Sequence, residues 1–157
     1  MLAPFGRAKY TMDTVNSRTR SRMMSAVKGR DTQPERTVRR VVHAAGYRFR
    51  LHHTNIPGRP DLVLPRFKVA VFVHGCFWHG HTCIRGKRPT SNTEFWNAKI
   101  EGNIARDQRT TAAVKAAGWK HVVVWECSLA RDTQRLLALL ARRDRRTKVS
   151  TRKLAKN

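Results

Sequence analysis

Between an apolar run at Val69–Val73 and a helical pattern beginning at Thr93 lies a 19-residue segment, 74–92, with very little to bury. Ile84 is its lone aliphatic side chain. A loop of that length without secondary structure of its own is uncommon in a compact domain, and it needs a staple to be ordered. Cys76, His81 and Cys83 supply three soft donor groups within eight residues of this loop, and Cys127 lies just past the next apolar run, His121–Trp125. A Cys3His set is a standard composition for structural zinc, and four protein ligands leave no open position for catalysis. The spacing is not that of a usual zinc finger, and the same residues are compatible with three small buried thiols and an exposed loop histidine. An odd number of cysteines argues against a disulfide framework.

The rest of the chain arranges itself around that loop. Thr32 followed by Glu35 has the form of a capping box. Val38, Val41, Val42 and Ala45 continue at helical spacing, and Gly46 supplies a stop. Tyr47, Phe49 and Leu51 alternate with Arg48 and Arg50, which predicts a half-buried strand. Asp61–Leu64 and Val69–Val73 read as paired strands about Pro65–Lys68, and Thr93–Ala117 as a long helix ended by Gly118. His121–Trp125 reads as a buried strand, and Asp132–Arg142 as a last helix with Leu136, Leu137, Leu139 and Leu140 on one face. Phe95 and Trp125 fall at core-like positions. The order α-β-β-β-α-β-α predicts an α/β fold of the α+β kind, a mixed sheet flanked by helices.

The 157 residues suffice for one domain, with 33 Lys and Arg against 10 Asp and Glu. The ends carry part of that excess, but residues 32–141 alone hold 18 basic and 7 acidic side chains, a net +11. We therefore divide the chain into a basic arm at 1–31, a central domain at 32–141 and a basic tail at 142–157 expected to lack order. A polyanionic partner is the simplest reason to tolerate such self-repulsion, and nucleic acid suits it better than a membrane surface. No apolar run approaches the length needed to span a bilayer, and the N-terminus lacks the form of a secretory signal, so a cytosolic protein is expected.

Several strings are specific enough to carry a resemblance. Pro57-Gly58-Arg59-Pro60-Asp61, His74-Gly75-Cys76-Phe77-Trp78-His79 with His81 and Cys83, Thr93-Glu94-Phe95-Trp96, Arg106-Asp107, and Trp119 through Val124-Trp125-Glu126-Cys127 resemble the very short patch repair (Vsr) endonucleases. The resemblance runs from about Thr19 to about Leu140. It implies a restriction-endonuclease-like core, a structural zinc site, and Mg2+-dependent nicking of duplex DNA on the 5′ side of the thymine in T:G mismatches. Such mismatches arise when 5-methylcytosine deaminates. The implied setting is a monomeric bacterial protein acting at the nucleoid, linked to a cytosine-5 DNA methyltransferase and partnered by mismatch-repair proteins and a repair polymerase. The rival readings are a restriction-type nuclease on matched duplex and a non-catalytic, zinc-ordered DNA-binding protein.

Site residues follow from the resemblance position by position, each beside a plainer explanation. Asp61 becomes the Mg2+ carboxylate, although an Asp in a turn is common; hard oxygen ligands in small number are what Mg2+ takes. Val73 stands where the family typically has Thr, and its backbone carbonyl is the second Mg2+ ligand. Nucleases of this fold ordinarily place an acidic-x-Lys pair on the next strand, which Val69–Val73 lacks. His79 is then the candidate to accept a proton from water, since a neutral imidazole near pH 7 can do so, with Asp107 orienting the ring. His74 and Glu35 are implied to line the site, although Glu35 is already accounted for by the capping box. Gly80 stands where some members carry His. Phe77, Trp78 and Trp96 are implied to enter the DNA stack from one groove and Met24 from the other, where a weakened step at a mismatch lowers the cost of insertion. Lys87, Arg88, Arg106 and Arg109 are candidate phosphate contacts.

Overall fold

A computed structural model describes residues 29–51 and 53–154, with side chains through Arg145. Met24 and nearly all of the basic arm lie outside the described residues. Helix α1 spans Gln33–Ala44, and its start is the expected capping box: the Glu35 N–H points to Thr32 Oγ1 while the Glu35 carboxylate returns to the Thr32 N–H. Gly46, at φ +86°, ends it. Strands β1 (Leu62–Leu64) and β2 (Val69–His74) pair antiparallel across a 3-10 turn at Pro65–Phe67. Helix α2, Thr93–Ala116, then crosses back so that β3, Lys120–Trp125, lies parallel to β2. The mixed sheet has the order β1-β2-β3. Helix α3 runs from Leu129 to Leu154.

Strand alternation sorts the core onto two faces. Leu62, Leu64, Val69, Val71 and Val124 pack with Val38 and Val42 of α1 and with Leu136 and Leu140 of α3. Val63, Ala70 and Phe72 turn to the opposite face, where they meet Ile56 and Val114 of α2. Asp61 and His74 continue the second phase, two residues from Val63 and from Phe72, so the sheet delivers both to the α2 side. That one consequence of a period of two positions the site.

Four local expectations are corrected. Tyr47–Leu51 forms no strand; a single antiparallel bridge joins Arg50 to Val63, and Leu51 is exposed. Strand β3 is buried at Val124 alone, with Lys120 exposed and the remaining residues half-buried. The last helix starts earlier than Asp132 and does not close at Arg142. Beyond that point Arg143 donates to the Phe67 carbonyl, and Asp144 pairs with Arg66 at 2.6 Å. Phe95 is no core ring: it is 52% exposed, whereas Trp96 is 7% exposed. The helical phase explains the exchange, since Trp96 and Ile100 share the inward stripe four residues apart and Phe95 falls beside it. No helix of the described residues is long and apolar enough to cross a membrane.

Candidate active site and metal centre

At the carboxyl end of β2 the chain leaves the sheet through His74 into a tight run of turns, residues 76–80. This folds His79 back over the strand it left. The His74 and His79 rings stack with centroids 3.7 Å apart and planes 8° off parallel. His79 Nδ1 meets Asp107 Oδ2 of α2 at 2.6 Å. Asn103, one helical turn earlier, donates its amide to the Trp78 carbonyl at 2.9 Å, tying the loop to the same helix face. Trp125, from the end of β3, stands edge-on to His74 at 5.3 Å. The His79 imidazole is thus held by a stack, a carboxylate and an aromatic wall.

Asp61 enters the same pocket from the turn before β1. Its Oδ2 accepts the Val73 N–H at 2.7 Å, which fixes the carboxylate against β2. Burial pushes its pKa up to about 6, partly offset by that hydrogen bond, and the nearby Glu35 carboxylate adds to the rise. Burial, reinforced by His79, pushes His74 down to about 4, so its ring is neutral near pH 7. Glu35 is buried and lines the pocket, but both its oxygens are engaged: one by Thr32, the other by the Asp31 N–H and the Arg39 guanidinium. The capping box and the site therefore share one carboxylate. The pocket has a volume of about 540 Å3.

Beside it, Cys76, His81, Cys83 and Cys127 place one donor atom each within 4.8 Å of one another. Cys127 Sγ lies 3.6 Å from His81 Nδ1. Cys127 rides on the 3-10 turn Glu126–Ser128 after β3, so this cluster joins the long loop to the sheet. Buried Asp132 secures the turn by accepting from the Trp125 N–H and the Ser128 hydroxyl. The donor set fits a tetrahedral dication: Cys76, whose burial drives its thiol up to about 12, and Cys83, drawn down to about 6 by a hydrogen bond with His81, gain a common counter-charge. The loop is packed tightly around the cluster, for a Cβ on Gly86 would lie 1.8 Å from the His81 carbonyl oxygen.

The aromatic residues form one group. Phe77 and Trp78 are half-buried and meet edge-to-face at 5.1 Å. Trp96 lies 5.2 Å from Phe77 and 6.2 Å from Trp78. Being buried, Trp96 backs these rings and presents no free face of its own. Of the proposed phosphate contacts, Arg88 is held by Asn97 and Glu101 and Arg106 by Asn103, while Lys87 and Arg109 are exposed. Among the polar pocket residues, Arg59, Thr110, His121 and Glu126 have no site role from the sequence. Glu126 carried a signal in its place beside Cys127, and Arg59 in its place two residues before Asp61.

The family described as DNA mismatch endonuclease Vsr matches residues 12–85. The chain is 48% identical over 118 residues to the Type II nicking enzyme V.XorIIP of Xanthomonas oryzae pv. oryzae, a span covering 75% of this chain and 87% of that protein. It is 41% identical over 117 residues to the Type II nicking enzyme V.NmeAIP of Neisseria meningitidis, covering 74% and 84%. The DNA mismatch endonuclease Vsr of Escherichia coli is 40% identical over 117 residues, covering 74% and 75%. Identity sustained over so much of both partners is more than a shared loop motif can produce, and the chain belongs to the Vsr family of DNA mismatch endonucleases.

Proposed function

We propose that this chain nicks one strand of duplex DNA on the 5′ side of the thymine in a T:G mismatch, and so begins very short patch repair of deaminated 5-methylcytosine. The observation that carries the reading is the His79–Asp107 contact at 2.6 Å beside the Asp61 carboxylate. With Asp107 accepting the proton on Nδ1, His79 keeps its other ring nitrogen as an acceptor. From there it takes a proton from the water that attacks the phosphorus, and Asp107 stabilises the imidazolium that results, while the bond from phosphorus to the leaving sugar oxygen breaks and that oxygen takes a proton from solvent. His74, neutral and stacked beneath it, adds no opposing charge at that moment. Asp61 and the Val73 carbonyl would hold Mg2+, which when bound supplies a Lewis acid for the phosphate oxygens. Cys76, His81, Cys83 and Cys127 would hold Zn2+ as a structural staple that keeps His79 in place. A restriction-endonuclease-like core suits this placement of Asp61 at the mouth of a strand pair.

Phe77 and Trp78, backed by Trp96, are proposed to enter the weakened step at the mismatch, with Met24 of the arm approaching from the other groove. The proposed role extends to a link with a cytosine-5 methyltransferase, to mismatch-repair proteins and a repair polymerase as partners, and to a monomer acting in the bacterial cytoplasm. The test is a nicking assay with Mg2+ on one labelled duplex carrying T:G or T:A at its centre. Cutting of the T:G strand alone is expected. Equal cutting of both would make the chain a matched-duplex nuclease, and binding without metal-dependent cutting would make it a DNA-binding module.

A further inference from the structure

Arg59 holds a backbone conformation that the turn demands and its side chain resists. Its φ is +52°, in the left-handed region that residues with a Cβ occupy uncommonly. The turn imposes this from both sides. Gly58 precedes it at φ +79°, the Arg59 N–H reaches back to the Ile56 carbonyl at 3.4 Å, and the Asp61 N–H bonds the Val71 carbonyl at 2.9 Å. Glycine would take this position without strain, so an arginine here points to a use for the side chain.

The charges around the pocket say what that use is. Glu35, Asp61, Asp107 and Glu126 line it, four carboxylates facing a substrate that is itself a polyanion. The lining cations are Arg59 and Arg106, and Arg106 is tethered to Asn103 Oδ1 at 2.9 Å. Arg39, the arginine that acts on the Asp61 carboxylate, is already committed to Asp31 and Glu35. Arg59 is exposed, and among the described residues its guanidinium has no ion pair or hydrogen bond. A guanidinium offers a planar fork of donors suited to two phosphate oxygens at once, which an ammonium does not.

We propose that Arg59 is a phosphate-binding residue of the cleavage pocket, its guanidinium taking the phosphodiester at or beside the scissile position and offsetting the repulsion of the four carboxylates. This rests on the reading of Asp61 and His79 as the cleaving pair. The test compares wild type, Arg59→Gly and Arg59→Lys in the full chain, using the T:G duplex of the nicking assay. Arg59→Gly is expected to melt no lower than wild type, because it removes the left-handed strain, yet to nick 10- to 100-fold more slowly at saturating enzyme. Its metal-free DNA binding should lose about 0.9 from the slope of log affinity against log salt, the share of one phosphate contact. Arg59→Lys should restore that slope but only part of the rate.

Arg59→Gly nicking within twofold of wild type, or keeping the full salt slope, would overturn the proposal. Melting of Arg59→Gly more than about 5 °C lower would also overturn it, by showing a structural side chain. Wild type that leaves the T:G duplex uncut counts against the proposed function, whereas wild type that cuts while Arg59→Gly cuts equally well counts against Arg59 alone.

Discussion

Asp61 is asked to do two incompatible things, to sit inside the protein and to be charged. Its pKa near 6, against the ordinary 3.8, means that the folded chain holds this proton more tightly than the unfolded chain does. Stability from this group is therefore greatest at low pH and falls as pH rises from about 3.8 to about 6. Asp61→Asn keeps an oxygen for the Val73 N–H but carries no charge. In metal-free protein at pH 7–8 it should be the more stable variant by on the order of 1–2 kcal/mol, after allowance for partial exposure. The advantage should vanish below pH 4, and nicking should be lost throughout. Thermal melts across that pH range check it; a wild type more stable than Asp61→Asn at pH 8 would contradict the burial argument. The residue was legible from its strand-opening turn and its motif. Its electrostatics were not, because they arise from β2 and α1 closing over it.

At the scale of elements, the long loop is the part of this fold that its own residues cannot hold. Three features join it to the rest of the fold: the proposed Cys3His metal site, Asn103 on α2, and Asp132 securing the turn beneath Cys127. Gly86→Ala should break the first, since the added methyl would lie 1.8 Å from backbone that cannot yield. The expected result is protein with less than half of the wild-type zinc and a nicking rate reduced at least tenfold, measured by metal analysis and the T:G assay. Full zinc with normal cutting would show that the loop tolerates a shift the packing argues against. The cluster could be listed from the sequence, but its closure could not. Cys127 is 44 positions beyond Cys83, and only the parallel pairing of β3 with β2 brings the two together. The misplacement of Phe95 has a related origin: adjacent rings on a helix differ by about 100° in facing, so only the helix's own packing decides which is buried.

For the whole molecule, the net charge of +23 is expected to govern how the chain meets DNA rather than where it cuts. If roughly seven phosphates are contacted, affinity should fall about 10³- to 10⁴-fold between 50 and 200 mM salt. Matched and T:G duplexes should share that slope, since phosphate contacts carry no base information. Binding isotherms on both duplexes across that salt range check this. A steeper slope on T:G DNA would show that the charge itself takes part in discrimination.

The sequence by itself determined the inventory: a capping box before α1, two strands about a Pro-led turn, a long helix stopped by glycine, four soft donor side chains, and the strings that mark a Vsr endonuclease. These are local properties, written in periodicity, caps and short motifs. Tertiary structure alone decided that Asp61 and His74 share a face, that Asp107 reaches His79, that Glu35 serves a cap and a pocket together, and that among the described residues Arg59 is left without a partner. Each depends on which residues distant in the chain are pressed together when the two faces of a three-stranded sheet are buried. That pressing is set by the summed packing of the chain rather than by any segment of it.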